Sequence, residues 1–104
     1  MDIKAEDFPL YQHLLTLNEP GVENAKRDFE KAVNGTDDDK YSFVHGIQTL
    51  AANVPLGQIP GVTKEMNDKT LRSCLAVYQE CAAHGHKLSA FMVQNFKQRG
   101  LGGP

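Results

Sequence analysis

Apolar residues recur along most of this chain at intervals of three and four, the spacing of one helical face. The clearest stripe is Val22, Ala25, Phe29, Ala32 and Val33, with Glu23, Lys26, Arg27, Glu30 and Lys31 covering the rest of each turn. Pro20-Gly21 opens it and Asn34-Gly35 supplies a left-handed stop, which predicts a helix over 20–34. A second unbroken stripe, Leu71, Cys74, Leu75, Tyr78, Cys81 and Ala82, predicts a helix over 65–84 that kinks or breaks at Gly85.

Three further helices follow from the same period. Leu10, Leu14 and Leu17, with Tyr11 and Leu15 beside them, predict a helix over 8–17, capped by Asp7 and stopped by Asn18-Glu19-Pro20. Thr36 and Asp39 have the spacing of a capping box, and Asp37, Asp38 and Asp39 suit the positive end of the helix dipole that follows. That helix, 38–53, carries the stripe Tyr41, Val44, Ile47, Ala51 and Val54, widened by Phe43 and Leu50. Gly46 inside it costs about 1 kcal/mol against alanine, so a close crossing by another helix is expected there. The last helix, 87–99, places Leu88, Phe91, Met92 and Phe96 on one side, with Lys97 and Arg99 in its final turn.

Between the third and fourth helices, 54–62 holds two prolines, two glycines and no charge, yet Leu56, Ile59 and Val62 are apolar. Such a loop lies across the core or offers an apolar surface to a partner, and the first is expected. The segment 101–104 reads as a loose tail. No strand-period alternation and no internal repeat occurs. The pattern therefore predicts an all-α fold: one domain over 1–104, five helices in a compact bundle-like or orthogonal arrangement, without a sheet. Its centre is expected from the second to fourth helices, through Phe29, Val33, Val44, Ile47, Leu71, Leu75 and Tyr78.

Composition changes this picture little. A chain of 104 residues suits one domain and buries roughly two-thirds of the surface of its unfolded form. No apolar run approaches the roughly 18 residues of a membrane span. The acidic start Met1-Asp2-Ile3-Lys4-Ala5-Glu6-Asp7 is unlike a secretory signal, so a cytoplasmic protein is expected. Charge adds more. Residues 1–52 carry ten acids and five bases, whereas 53–104 carry three acids and six bases, so a net charge of −2 hides halves of −5 and +3. Two surfaces of opposite sign can steer a partner.

The candidate chemistry is sparse. Cys74 and Cys81 lie two helical turns apart, about 10.5 Å along the axis, too far for a disulfide in an intact helix. Their apolar neighbours make them small core residues. Cys81, His84 and His86 come nearest to a metal cluster, or to a thiol with a histidine base, but C-x-x-C and H-E-x-x-H are both missing. The acids Asp37–Asp39 lack the spaced ligands of a calcium loop. Residues 77–97 have the outline of a helix-turn-helix with Gly85 in the turn, yet His86 follows it and the basic charge is modest, so nucleic acid is a secondary expectation.

By elimination the sequence predicts a non-catalytic protein–protein interaction domain, without a cofactor, that works by presenting a surface. An adaptor, inhibitor, immunity factor or regulatory subunit would fit. The candidate surfaces are the Asp37, Asp38 and Asp39 corner, the loop through Leu56 and Ile59, and the last helix through Phe91, Met92 and Phe96, where a homodimer could also form. A DNA-binding regulator is the alternative, and a metal or thiol enzyme the last.

Overall fold

The computed structural model describes residues 2–103, and among them five α-helices and no strand. Two threonines set the start of the long central helices. The Thr36 hydroxyl accepts from the Asp39 backbone N–H at 3.2 Å while the Asp39 carboxylate accepts from the Thr36 N–H at 3.1 Å. This capping box opens α3, Asp37–Asn53. Thr63 accepts from the Met66 N–H at 3.2 Å and opens α4, Lys64–Ala83. Gly85 then takes φ +90°, a left-handed conformation that ends α4, so the chain breaks here rather than kinks. His86 starts α5, Lys87–Arg99.

The N-terminal half departs further from expectation. Helix α1 covers only Pro9–Leu14, because residues 15–17 tighten into three-residue turns, with Thr16 N–H bonded to His13 O and Leu17 N–H to Leu14 O. Asp7 does not cap it. It belongs to a single 3₁₀ turn, Ala5–Asp7, and Phe8 occupies the cap position without a side-chain bond. One open N–H of this helix start is met from elsewhere: Leu10 N–H donates to the buried Thr70 hydroxyl of α4 at 3.1 Å. Helix α2, Val22–Val33, follows Gly21 at φ +94°. The left-handed stop expected at Asn34-Gly35 is not there: Asn34 ends the helix at φ −123°, and Gly35 instead allows a close approach, since a Cβ on it would meet the Asp39 side chain at 2.6 Å.

Packing runs α2 on α3, α3 on α4 and α4 on α5, with α1 laid against α4, so α2 and α5 form the flanks. The Cα radius of gyration, 12.9 Å, matches the roughly 13 Å of a compact chain this long. Val44, Ile47, Leu71 and Tyr78 are buried as expected. Phe29 and Leu75 are only partly buried, and Val33 stands outside the core. Helix α2 buries Ala32 alone, and the place foreseen for it is taken by Ile3, Phe8, Leu10, Tyr11 and Leu14. Phe8, Tyr11 and Phe29 surround the Phe43 ring at centroid distances of 5.2–5.3 Å. At the other end Tyr78 meets Phe96 edge-on at 5.5 Å and donates its hydroxyl to the buried Gln48 carbonyl at 2.8 Å.

Leu101 and Gly102, at the start of the expected tail, lie against the helices. Leu101 N–H bonds Phe96 O at 2.9 Å behind Gly100 at φ +67°, and a Cβ on Gly102 would meet the Leu75 side chain at 2.8 Å. Pro104, the end of the predicted tail, lies outside the described residues. At Gly46 no helix crosses closely, and an added Cβ would meet nothing within 4 Å. Gly46→Ala is therefore expected to stabilise the protein by about 0.5–1 kcal/mol, read as a higher midpoint in urea at unchanged slope.

Candidate functional site

The start of α3 and the turn between α4 and α5 meet at one corner. His84 Nδ1 lies 3.2 Å from both carboxylate oxygens of Asp37, and His86 Nε2 lies 2.6 Å from Asp38 Oδ1. His86 Nδ1 also accepts from the Ser89 backbone N–H at 3.2 Å, capping α5, and sits 2.8 Å from the Ser89 hydroxyl. A neutral ring that accepts at Nδ1 carries its proton on Nε2, so the ring donates to Asp38. Tyr41 stacks on His45 at 5.3 Å and lies 5.5 Å from the His86 ring. The hydrogen bond from His84, above other influences, holds the Asp37 carboxyl below its usual range.

The sequence suggested Cys81, His84 and His86 as one group and the three acids as another. The fold joins them across 47 and 48 residues, but as pairs rather than a ligand shell. Among the described residues no three His, Cys, Asp or Glu side chains are arranged to hold a metal ion. Burial, then the Asp37 carboxylate, pushes the Cys81 thiol up to about 11, and burial raises Cys74 further. Thiols this basic stay protonated near neutral pH and are poor nucleophiles. Ser89, His86 and Asp38 supply the residue types of a hydrolytic triad, brought together only by the fold. Ser89 is fully buried, however, and the exposed end of the trio is Asp38, so no substrate reaches the hydroxyl. The i to i+3 pair His86–Ser89 is a helix cap. His86→Ala should cost about 1 kcal/mol in chemical denaturation, and His86→Asn, which keeps an acceptor, should recover most of it.

The surfaces tell a different story. A groove of about 360 Å³ opens between the α1–α2 connection, α2, α3 and the 54–62 loop, over Leu17, Val22, Ala25, Leu50, Ile59 and Pro60. A second hollow of about 240 Å³ continues it along α2 and α3 over Gly46, sharing Gly21, Ala25 and Leu50. His13 holds the loop wall in place: its Nε2 lies 2.6 Å from Pro60 O, and any Cβ on Gly61, at φ +81°, would strike the ring at 2.7 Å. Ile59 and Val62 pack against the core while Leu56 stays 56% exposed, so the loop divides between the two roles considered for it. No periodicity signals this groove, because its walls come from three separated stretches, 14–25, the end of α3 and the 54–62 loop.

Helix α5 requires a correction. Met92 and Phe96 are buried against the core with Ser89 and cannot meet a partner. The exposed apolar residues of α5 are Leu88 and Phe91, at 54% and 66%. The packed stripe runs 89, 92, 96 because the His86 cap turns Ser89 inward. Asp37, Asp38 and Asp39 are engaged with His84, His86 and Thr36. Among the described residues no helix is long and apolar enough to cross a membrane. Compared with protein-family models, curated proteins and solved structures, the chain matches none.

Proposed function

We propose that this chain is a non-catalytic protein-binding domain whose working surface is the groove between α2, α3 and the 54–62 loop. The observation that carries the reading is a contrast. The corner that holds the titratable side chains uses them on one another, whereas the groove is a concave surface lined mainly by apolar groups with two acids at its edge, Glu19 and Asp28. Apolar hollows with a few polar groups are the usual form of a binding site. On this reading the protein works in the cytoplasm, where its two free thiols, Cys74 and Cys81, stay reduced.

The test is comparative capture after cross-linking in the native cell, using wild type, Val22→Arg in the groove and Asp38→Ser at the corner. The expected result is a protein whose recovery falls about tenfold or more with Val22→Arg and is unchanged with Asp38→Ser. Recovery that depends on Asp38 and not on Val22 would move the function to the corner. Turnover of a substrate by the purified protein would overturn the non-catalytic reading.

A further inference from the structure

We infer that the groove takes helix α5 of a second copy of this chain, in a head-to-tail contact. The inference rests on the groove being a binding surface and names its occupant. The groove side is apolar with an acidic edge: Glu19 and Asp28 line its two stretches, and no lysine or arginine does. The other half of the contact is present on the same molecule. Leu88 and Phe91 stand out from α5 one turn apart. That helix contains no acid, and it carries Lys87 near its start and Lys97 and Arg99 at its end. An exposed amphipathic helix with apolar knobs at i and i+3 is the form that helix-binding grooves accept.

Charge selects this pairing over the obvious alternative. Two α5 helices packed face to face and antiparallel would set Lys87 of each against the basic end of the other, and like charges across a contact are unfavourable. Setting α5 in the groove avoids that clash and lets Lys87, one turn before Phe91 and exposed, meet the acidic edge formed by Glu19 and Asp28. Topology then makes the contact intermolecular. Helix α5 is fixed in its own core through Ser89, Met92 and Phe96 while Leu88 and Phe91 face outward, so the groove that takes them belongs to another copy. Each contact leaves one groove and one α5 free, so association continues beyond a dimer unless the rotation closes a ring. Two apolar knobs make a small interface, so the association is weak and depends on concentration.

Sedimentation velocity from about 10 μM to about 1 mM tests it. The average mass of wild type should rise from 11.5 kDa with concentration and pass the dimer, and should fall again at high salt. Phe91→Ser removes the knob, and Gly46→Arg fills the groove with bulk and positive charge. Both positions are exposed, so both variants should keep a cooperative thermal transition. Each alone should stay at 11.5 kDa, while an equal mixture should form dimers and stop there, because each variant retains the half that the other lacks. A wild type that is monomeric at about 1 mM overturns the inference, as does a mixture that fails to dimerise. Association lost with Phe91→Ser but kept with Gly46→Arg identifies a face-to-face α5 dimer and overturns it too. A foreign partner lost with Val22→Arg, in the absence of self-association, would sink this inference and leave the protein-binding reading standing.

Discussion

Replacing Phe43 with alanine is expected to cost about 3–5 kcal/mol, the range for deleting a buried phenylalanine ring. The ring is 2% exposed on α3, and it is the meeting point of three others, with Phe8 at 5.2 Å and Tyr11 and Phe29 at 5.3 Å, all edge-on. Such pairs contribute about 0.5–1.5 kcal/mol beyond the area they bury. The six residues of α1 are too few to be helical alone, so they depend on these contacts. Against a total stability of about 5–15 kcal/mol, the loss should lower Tm by roughly 15–30 °C. The same substitution at Phe91, 66% exposed, should change stability by no more than about 0.5 kcal/mol. Equal effects at the two positions would contradict the packing described for α3 and α5.

That contrast also marks what the sequence could and could not reveal. Helices α3 and α4 were legible because local signals agreed with the apolar stripe, as with Thr36, Asp39 and the left-handed Gly85, whereas α2 was legible from its stripe alone, since Gly35 is not left-handed. In α5 the apolar residues exceed one face. Periodicity could not say whether Phe91 or Phe96 points inward, since the choice is made by His86 capping Ser89 and by Tyr78 receiving Phe96. The weight of α1 was hidden for a related reason. Its start is satisfied by Thr70, sixty residues away, and no local signal records such a bond. Gly46 works in the opposite direction: a helix-interior glycine suggests a close crossing, yet here it lines a hollow between α2 and α3. The candidate site followed suit. Asp37, Asp38, His84 and His86 were each visible as polar residues near helix ends, but their pairing is tertiary, and the groove is a property of three separated stretches at once.

Raising the pH above about 9 is expected to destabilise the protein steeply. The unfolded chain ionises Cys74 and Cys81 near pH 9, whereas burial holds both protonated in the native state, Cys81 until about 11 and Cys74 beyond. Tyr78 is raised in the same way, by burial first and then by Cys74 and Tyr41, and Tyr11 by burial and then Glu30. The sign follows from proton counts. Above pH 9 the unfolded state binds fewer protons than the native state, so stability falls as pH rises. These contributions are whole below pH 9, and for Cys81 the loss levels off near 11, where the native thiol itself ionises. Each group that ionises only on unfolding costs about 1.4 kcal/mol per pH unit, so the two thiols together remove on the order of 5 kcal/mol between pH 9 and 11. That approaches the whole stability of a small domain. Unfolding free energies measured in urea at intervals from pH 7 to 11 should show this slope, and Cys81→Ala, though less stable at pH 7, should lose about 1.4 kcal/mol less per pH unit above 9. An unchanged slope would mean that the native Cys81 thiol ionises as freely as the unfolded one, which its burial beneath Asp37 and beside Ser89 forbids.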